Sequence, residues 1–284
     1  MAVAVVTDTT HYLPAALLAD LGVREVSLYV GWDGALRRES EITDLGAFYD
    51  ELRTAATVPA TSQPSVGDVV AVYEPLLADG RDIVSIHLSA GLSGTMASAQ
   101  QARAATAAPE RIEVLDSETG CGGLGLAVLA AARAASDGAS REEVAEAARR
   151  AREGLRMWFC VDTLEYLRRG GRVGAAQSWI GGALKIKPIL ALEREITPIE
   201  RVRTAGRAFE RMTEYMEALQ EAGRDAWAIQ HIRAEEQAER LADRGRALFG
   251  TEPLFVSEVG PVIGAHVGPG LLGVGGIARE LVRA

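Results

Sequence analysis

The sequence predicts an α/β protein of two domains: an N-terminal parallel-sheet α/β/α domain over residues 1–154, and a C-terminal α/β domain over 155–284 with a mixed, largely antiparallel sheet. Three observations predict it. In the first half, apolar runs of strand length alternate with amphipathic segments, the pattern of a parallel sheet covered on both faces. Near Leu155 the pattern changes, and Ile186–Leu192 and Glu195–Arg203 read as strands with little helix between them, which points to an antiparallel element in a different sheet. No internal repeat or low-complexity linker is visible, so the domains are expected to abut, with a ligand cleft between them.

The elements follow in order. Ala2–Thr7, Glu25–Val30, Ile83–His87 and Ile112–Leu115 have the length and β-branched content of strands. Amphipathic segments near Pro14–Leu21, Asp44–Arg53, Ser65–Ala78 and Ser93–Thr106 separate them. Two alanine-rich helices follow over about 122–136 and 140–153; Asp137-Gly138 supplies the stop between them, and Ser140 with Glu143 three residues on forms a capping box. Beyond the boundary, Met157–Val161, 226–232 and 254–259 read as further strands, and 205–222 and 234–248 as helices.

Composition narrows the function. Of 284 residues 24% are charged and 48% apolar, as in soluble globular proteins, and the net charge of −9 argues against general affinity for nucleic acid or anionic membrane. Only Lys185 and Lys187 are lysine among 30 basic residues, a skew that reads as coding bias rather than a phosphate-binding signature. Cys121 and Cys160 stand in no metal spacing and are expected as reduced thiols. The N-terminal residues lack a basic segment followed by a signal-length apolar run, so the expected location is the cytoplasm.

The most informative stretch is Gly260–Gly270, which holds His266 among glycines and prolines. From Val259 to Ala278 twenty residues carry no formal charge, but seven are Gly and two Pro, which disfavours a continuous helix and predicts turning, close-packed backbone. Two polar loops accompany it. Thr61-Ser62-Gln63-Pro64-Ser65 places Ser65 to cap the next helix, with Thr61 one turn ahead. Ser89–Thr95 lies between a strand and a helix, where open α/β sheets bind ligands and a new helix offers free N–H groups to an anion; Ser93 is also an N-cap candidate. Ser93 with His266 as base would suit a serine-dependent acyl hydrolase or transferase, but G-x-S-x-G fails because Thr95 stands where the second glycine belongs. No P-loop, dinucleotide fingerprint or H-E-x-x-H metal pair occurs.

Thr7-Asp8-Thr9-Thr10, Thr61–Ser65, Ser89–Thr95, Leu167–Arg172 with its Gly170-Gly171-Arg172, Lys185–Pro188, Arg201–Thr204 and Gly260–Gly270 stand in the order seen in the DegV family, which the chain resembles over essentially its whole length. The resemblance implies a two-domain protein holding a long-chain fatty acid (C14–C18) between its domains, without a cofactor or catalytic residue of its own. It implies presentation of the acyl carboxylate to a separate ATP-dependent kinase subunit, which phosphorylates it to an acyl phosphate. By the same resemblance Thr61, Ser93 and His266 match the positions that bind the carboxylate, while Gly94, Arg172 and Arg203 face the head group or the kinase. Ala205-Gly206-Arg207 follows Arg203 where relatives often carry a more basic run.

The residue chemistry agrees. Two hydroxyls and an imidazole can cradle an anion taken out of water, and an apolar tunnel would hold the tail. Candidate walls are Leu124, Leu126, Val128, Leu129, Trp179, Ile180, Leu184 and Ile263, with Gly181, Gly182 and Ala183 leaving room. Arg168, Arg169 and Arg172 are candidates for an edge that touches membrane or kinase. A lipid carrier without a kinase is the remaining alternative.

Overall fold

The computed structural model describes residues 2–180 and 186–282. Lys185 and the expected tunnel residues Gly181, Gly182, Ala183 and Leu184 lie outside the described residues.

The first sheet is wholly parallel, ordered Arg24–Val26, Val3–Asp8, Asp82–His87, Ile112–Asp116. Helices Val66–Ala78 and Thr95–Ala105 cover its outer face over a core that includes Val6, Val69, Tyr73 and Ile83. The second sheet runs Glu195–Val202, Lys187–Glu193, Arg156–Cys160, Leu272–Ile277, Ala226–His231, Val256–Glu258, antiparallel except for its last pair. Helices Ala205–Glu221 and Glu235–Phe249 cover its far face around Met212, Met216, Trp227 and Leu241. The parallel and mixed sheets are thus those expected. Ser65 with Asp68, and Ser140 with Glu143, form complete capping boxes.

Helix Cys121–Ser136 lies between the two sheets. Its residues from Gly122 to Ala132 are all buried, as a helix that is apolar on every side must be. One face meets Val3, Val5 and Val84 of the first sheet, and the other meets Ala226, Ala228 and Ile277 of the second. Small residues let the second sheet approach: a Cβ on Gly122 would lie 3.3 Å from the Gln230 side chain.

Two expectations change. Glu25–Val30 is not one strand; Arg24–Val26 belongs to the parallel sheet, whereas Tyr29–Gly31 pairs with Arg37–Arg38 and Ala60–Ser62 in a small antiparallel sheet. Val26, Leu28 and Val30 are all buried, so the period-two alternation runs on while the pairing partner changes. The run 259–278 is likewise more regular than turning backbone. It forms helix Pro261–Val267, with Pro261 at a position that needs no N–H, ends it at Gly268 with φ 74°, and continues as strand Leu272–Ile277.

That strand lies inside the second sheet, paired on both sides. Leu272 and Val274 enter the far-face core, while Gly273 and Gly275 turn to the opposite face and leave it bare. Glycine is costly in a strand, but pairing on both edges holds it, and the bare face makes a space.

Candidate functional site: a lined cavity between the sheets

The space is a cavity of about 190 Å³. Its sheet wall consists of Met157, Phe159, Ala228, Gly273 and Gly275, and helix Cys121–Ser136 contributes Cys121, Gly122 and Leu126. Polar groups come from five separate segments: Thr61 to Gln63, Ser93 and Gly94, Arg172, Gln230, and His266.

Thr61 sits in strand Ala60–Ser62, not in a loop, and its hydroxyl shares a 2.8 Å hydrogen bond with His266 Nε2. His266 lies in the last turn of helix Pro261–Val267, whose start is anchored by buried groups from the N-terminal half. The Glu39 carboxylate accepts from the Val262 N–H at 2.8 Å, from the Tyr12 hydroxyl at 2.9 Å and from the Thr9 hydroxyl at 2.5 Å. Tyr12 accepts in turn from the Ile263 N–H at 3.2 Å, and the Tyr49 hydroxyl donates to the Val259 carbonyl at 2.6 Å. A helix of seven residues with four unpaired N–H groups needs such partners when buried.

The Gly170-Gly171-Arg172 segment packs on the other side of the imidazole. A Cβ on Gly170 would lie 2.2 Å from His266 Nδ1, and Gly171 has φ 69°, so both positions call for glycine. Arg172 donates to the Leu92 carbonyl at 3.2 Å and the Gly170 carbonyl at 2.8 Å, tying this turn to the Ser89–Thr95 loop. Asp8 fixes that loop's base by accepting from the Leu88 N–H at 2.8 Å. A buried chain Ser85–His87–Asp8, with separations of 2.7 and 3.1 Å, stands behind Asp8; none of the three lines the cavity. Gly94 admits Gln63, whose Oε1 would lie 2.2 Å from a Cβ there.

Ser93 is not the N-cap; that position is Gly94. The Ser93 hydroxyl instead bonds the Thr95 hydroxyl at 2.9 Å and accepts from the Thr95 N–H at 3.3 Å. Of the expected tunnel walls, Leu126 and Ile263 line the cavity, whereas Leu124, Val128 and Leu129 belong to the core around the first sheet. Trp179 and Ile180 pack against a neighbouring core, and the Arg201 guanidinium lies 5.3 Å from the Trp179 ring centre. Arg203 is exposed just past strand Glu195–Val202 and is not a lining residue. Arg168 and Arg169 pair with Glu165 at 2.7 and 2.6 Å. Among the described residues no helix is long and apolar enough to cross a membrane. Sequence reasoning missed Gln63, Gln230, Cys121, Gly273 and Gly275, all on the lining; strand alternation from Trp227 would have turned Gln230 to the same face as Ala228.

Electrostatics speak against nucleophilic chemistry. Burial, reinforced by the Arg172 guanidinium, lowers the His266 imidazole to about 4, too weak a base for general-base work near pH 7. Its Nε2 is turned to Thr61, and Nδ1 has no hydrogen-bond partner among the described residues, so no carboxylate orients it as an acyl-transfer base would require. Burial pushes the Cys121 thiol up to about 12, which keeps it protonated.

A pH prediction follows. The unfolded chain holds the His266 proton up to about 6.5, the folded chain only up to about 4. Between these values the unfolded state binds more protons, so the stabilisation is present above 6.5 and is lost as pH falls through 4. About 2–3 kcal/mol is at stake. Denaturant unfolding at pH 7 and pH 4.5 is expected to show a smaller difference for His266→Asn than for wild type; an equal difference would refute the assignment.

The chain's relatives bear on what the cavity holds. The DegV family model matches residues 2–279. A DegV domain-containing protein of Streptomyces coelicolor is 43% identical over 276 residues, covering 96% of this chain and 97% of that one. Protein DegV of Bacillus subtilis is 36% identical over 279 residues, covering 96% and 98%. Among solved structures, a DegV family protein from Thermus thermophilus described by its fatty acid binding superposes with TM-score 0.87 at 35% identity, over 98% of this chain and 100% of that one. DegV of Bacillus subtilis, described as a fatty acid binding protein, gives 0.85 at 34%, over 98% and 99%.

Proposed function

The chain belongs to the DegV family, and from that membership and the cavity we propose that it binds a long-chain fatty acid (C14–C18) between domains 1–154 and 155–284. The observation that carries this reading is a polar cluster built around the Thr61–His266 hydrogen bond on a cavity whose sheet and helix walls are, apart from Gln230, apolar and partly bare of side chains. Thr61, Ser93 and His266 bind the carboxylate, and Arg172 beside them contributes positive charge. The tail supplies the affinity: burying about fourteen methylenes at ~0.8 kcal/mol each gives on the order of 11 kcal/mol before ordering and association costs.

In this reading the protein presents the carboxylate to a separate ATP-dependent kinase subunit and supplies no nucleophile itself. Arg203, exposed and away from the lining, suits a contact with that subunit rather than with the lipid. The fatty acid is exchanged at the membrane in a transient contact from the cytoplasmic side.

Mass spectrometry of the purified protein, under native conditions and after organic extraction, tests the binding. A near-stoichiometric adduct released as a C14–C18 fatty acid is expected. A protein that stays at its apo mass after incubation with oleate and palmitate sinks the proposal. Ser93→Ala and His266→Ala are expected to reduce acyl phosphate formation by a fatty acid kinase more than they reduce lipid retention. Equal losses in both assays would remove the head-group roles.

A further inference from the structure

We propose that His231, Glu235 and Glu258 bind a divalent transition-metal ion of the zinc class, on the side of the second sheet turned away from the cavity. One candidate ligand atom from each residue lies within 4.8 Å of those of the other two. The fold places them together. His231 ends strand Ala226–His231 and is the direct partner of Glu258, which ends the parallel strand Val256–Glu258. Glu235 opens helix Glu235–Phe249 four residues after His231. Alternation along the strand sets the face: Trp227 and Ile229 enter the core under the outer helices, Ala228 and Gln230 turn to the cavity, and His231 follows the first set.

The imidazole makes this more than a pair of surface acids. His231 is only 7% exposed, and its Nδ1 is buried with no hydrogen-bond partner among the described residues. Buried polar nitrogens are nearly always paired, and a metal bond at the ring would account for a histidine held in this place.

The surroundings also suit a cation. Glu258 uses one carboxylate oxygen to accept from the Arg233 N–H at 3.0 Å, which fixes the carboxylate and leaves its second oxygen available. The Arg233 guanidinium stands 3.7 Å from Glu235 in a loose, part-exposed pair, which a metal bound at that carboxylate would displace. One imidazole with two carboxylates matches zinc, manganese or ferrous iron, whereas magnesium and calcium favour oxygen ligands alone. Three protein ligands leave a position for water or an exchangeable anion.

The test uses untagged full-length protein, stripped with chelator and titrated with ZnCl₂ and, separately, MgCl₂ by calorimetry, with bound metal counted by elemental analysis. About one equivalent of Zn²⁺ per chain is expected, with affinity falling on the order of tenfold or more in His231→Ala and in Glu235→Gln. His266→Ala should bind Zn²⁺ as wild type does. Glu235 is exposed at the helix start, so its variant reports on the site even if His231→Ala fails to fold. Absence of Zn²⁺ binding overturns the proposal, as does Zn²⁺ binding unchanged in Glu235→Gln, or Mg²⁺ binding as tight as Zn²⁺.

Discussion

Replacing Gly273 with leucine is expected to lower fatty-acid affinity about 200-fold, because the new side chain takes the space of roughly four methylenes at ~0.8 kcal/mol each. Gly273 faces the cavity from an inner strand of the second sheet, and its ideal Cβ would sit 3.3 Å from the Phe159 Cβ. The added bulk is therefore directed along the cavity wall, with a stability cost of about 1–3 kcal/mol for the tight start. Val274→Ala, one residue on and facing the outer core, provides the contrast: it should destabilise the fold and leave lipid affinity unchanged. Direct titration with a labelled fatty acid, with a denaturant curve for each variant, separates the two effects. Wild-type affinity in Gly273→Leu would mean that the tail does not run along this strand.

Glu39→Ala is expected to cost about 4 kcal/mol of folding stability. It leaves the Val262 N–H and the Tyr12 and Thr9 hydroxyls without their buried acceptor, at about 1–3 kcal/mol for each unsatisfied group. Glu39→Gln keeps an acceptor oxygen and should cost about half as much. Burial is the main reason the Glu39 carboxyl sits above the usual carboxylate range despite three donors. A carboxyl raised in the folded state contributes stability below its unfolded value and loses it as pH rises through the folded one. Glu39→Gln should therefore remove a decline of stability with rising pH just above the ordinary carboxylate range. Urea unfolding of wild type, Ala and Gln variants across pH 4–7 measures both effects, and a loss below about 1 kcal/mol in Glu39→Ala would show that Glu39 does not hold the helix.

The parallel sheet, the cap at Ser65 and the capping box at Ser140 were legible because local signals and global fold agree there: β-branched runs fall in strands, and a serine precedes each helix, at Ser140 with an acid three residues on. The central strand Leu272–Ile277 was not legible. Its glycines signal turns to any local rule, and only pairing on both edges, a property of other segments, makes them a strand. Leu126 on the cavity and Leu124 in the core stand about 200° apart around a helix that is apolar on every side, where periodicity carries no facing information. Glu39 stands in the charged stretch Arg37–Glu41 and looks solvated, since its partners Val262 and Tyr12 are remote in sequence. Ser93 and the Gly170-Gly171-Arg172 turn could be singled out by their spacing, but the bond that joins Thr61 to His266 has no trace in either segment.

That bond spans 205 residues, and those that seat the His266 helix span 223 from Glu39 and 251 from Tyr12. Closing such long loops is entropically demanding, and folds dominated by remote contacts form slowly. The cavity is thus among the last parts of the molecule to exist as the chain folds. A hydrophobic ligand meets a finished container rather than a template, so its presence should slow the departure from the native state while leaving the rate of arrival untouched.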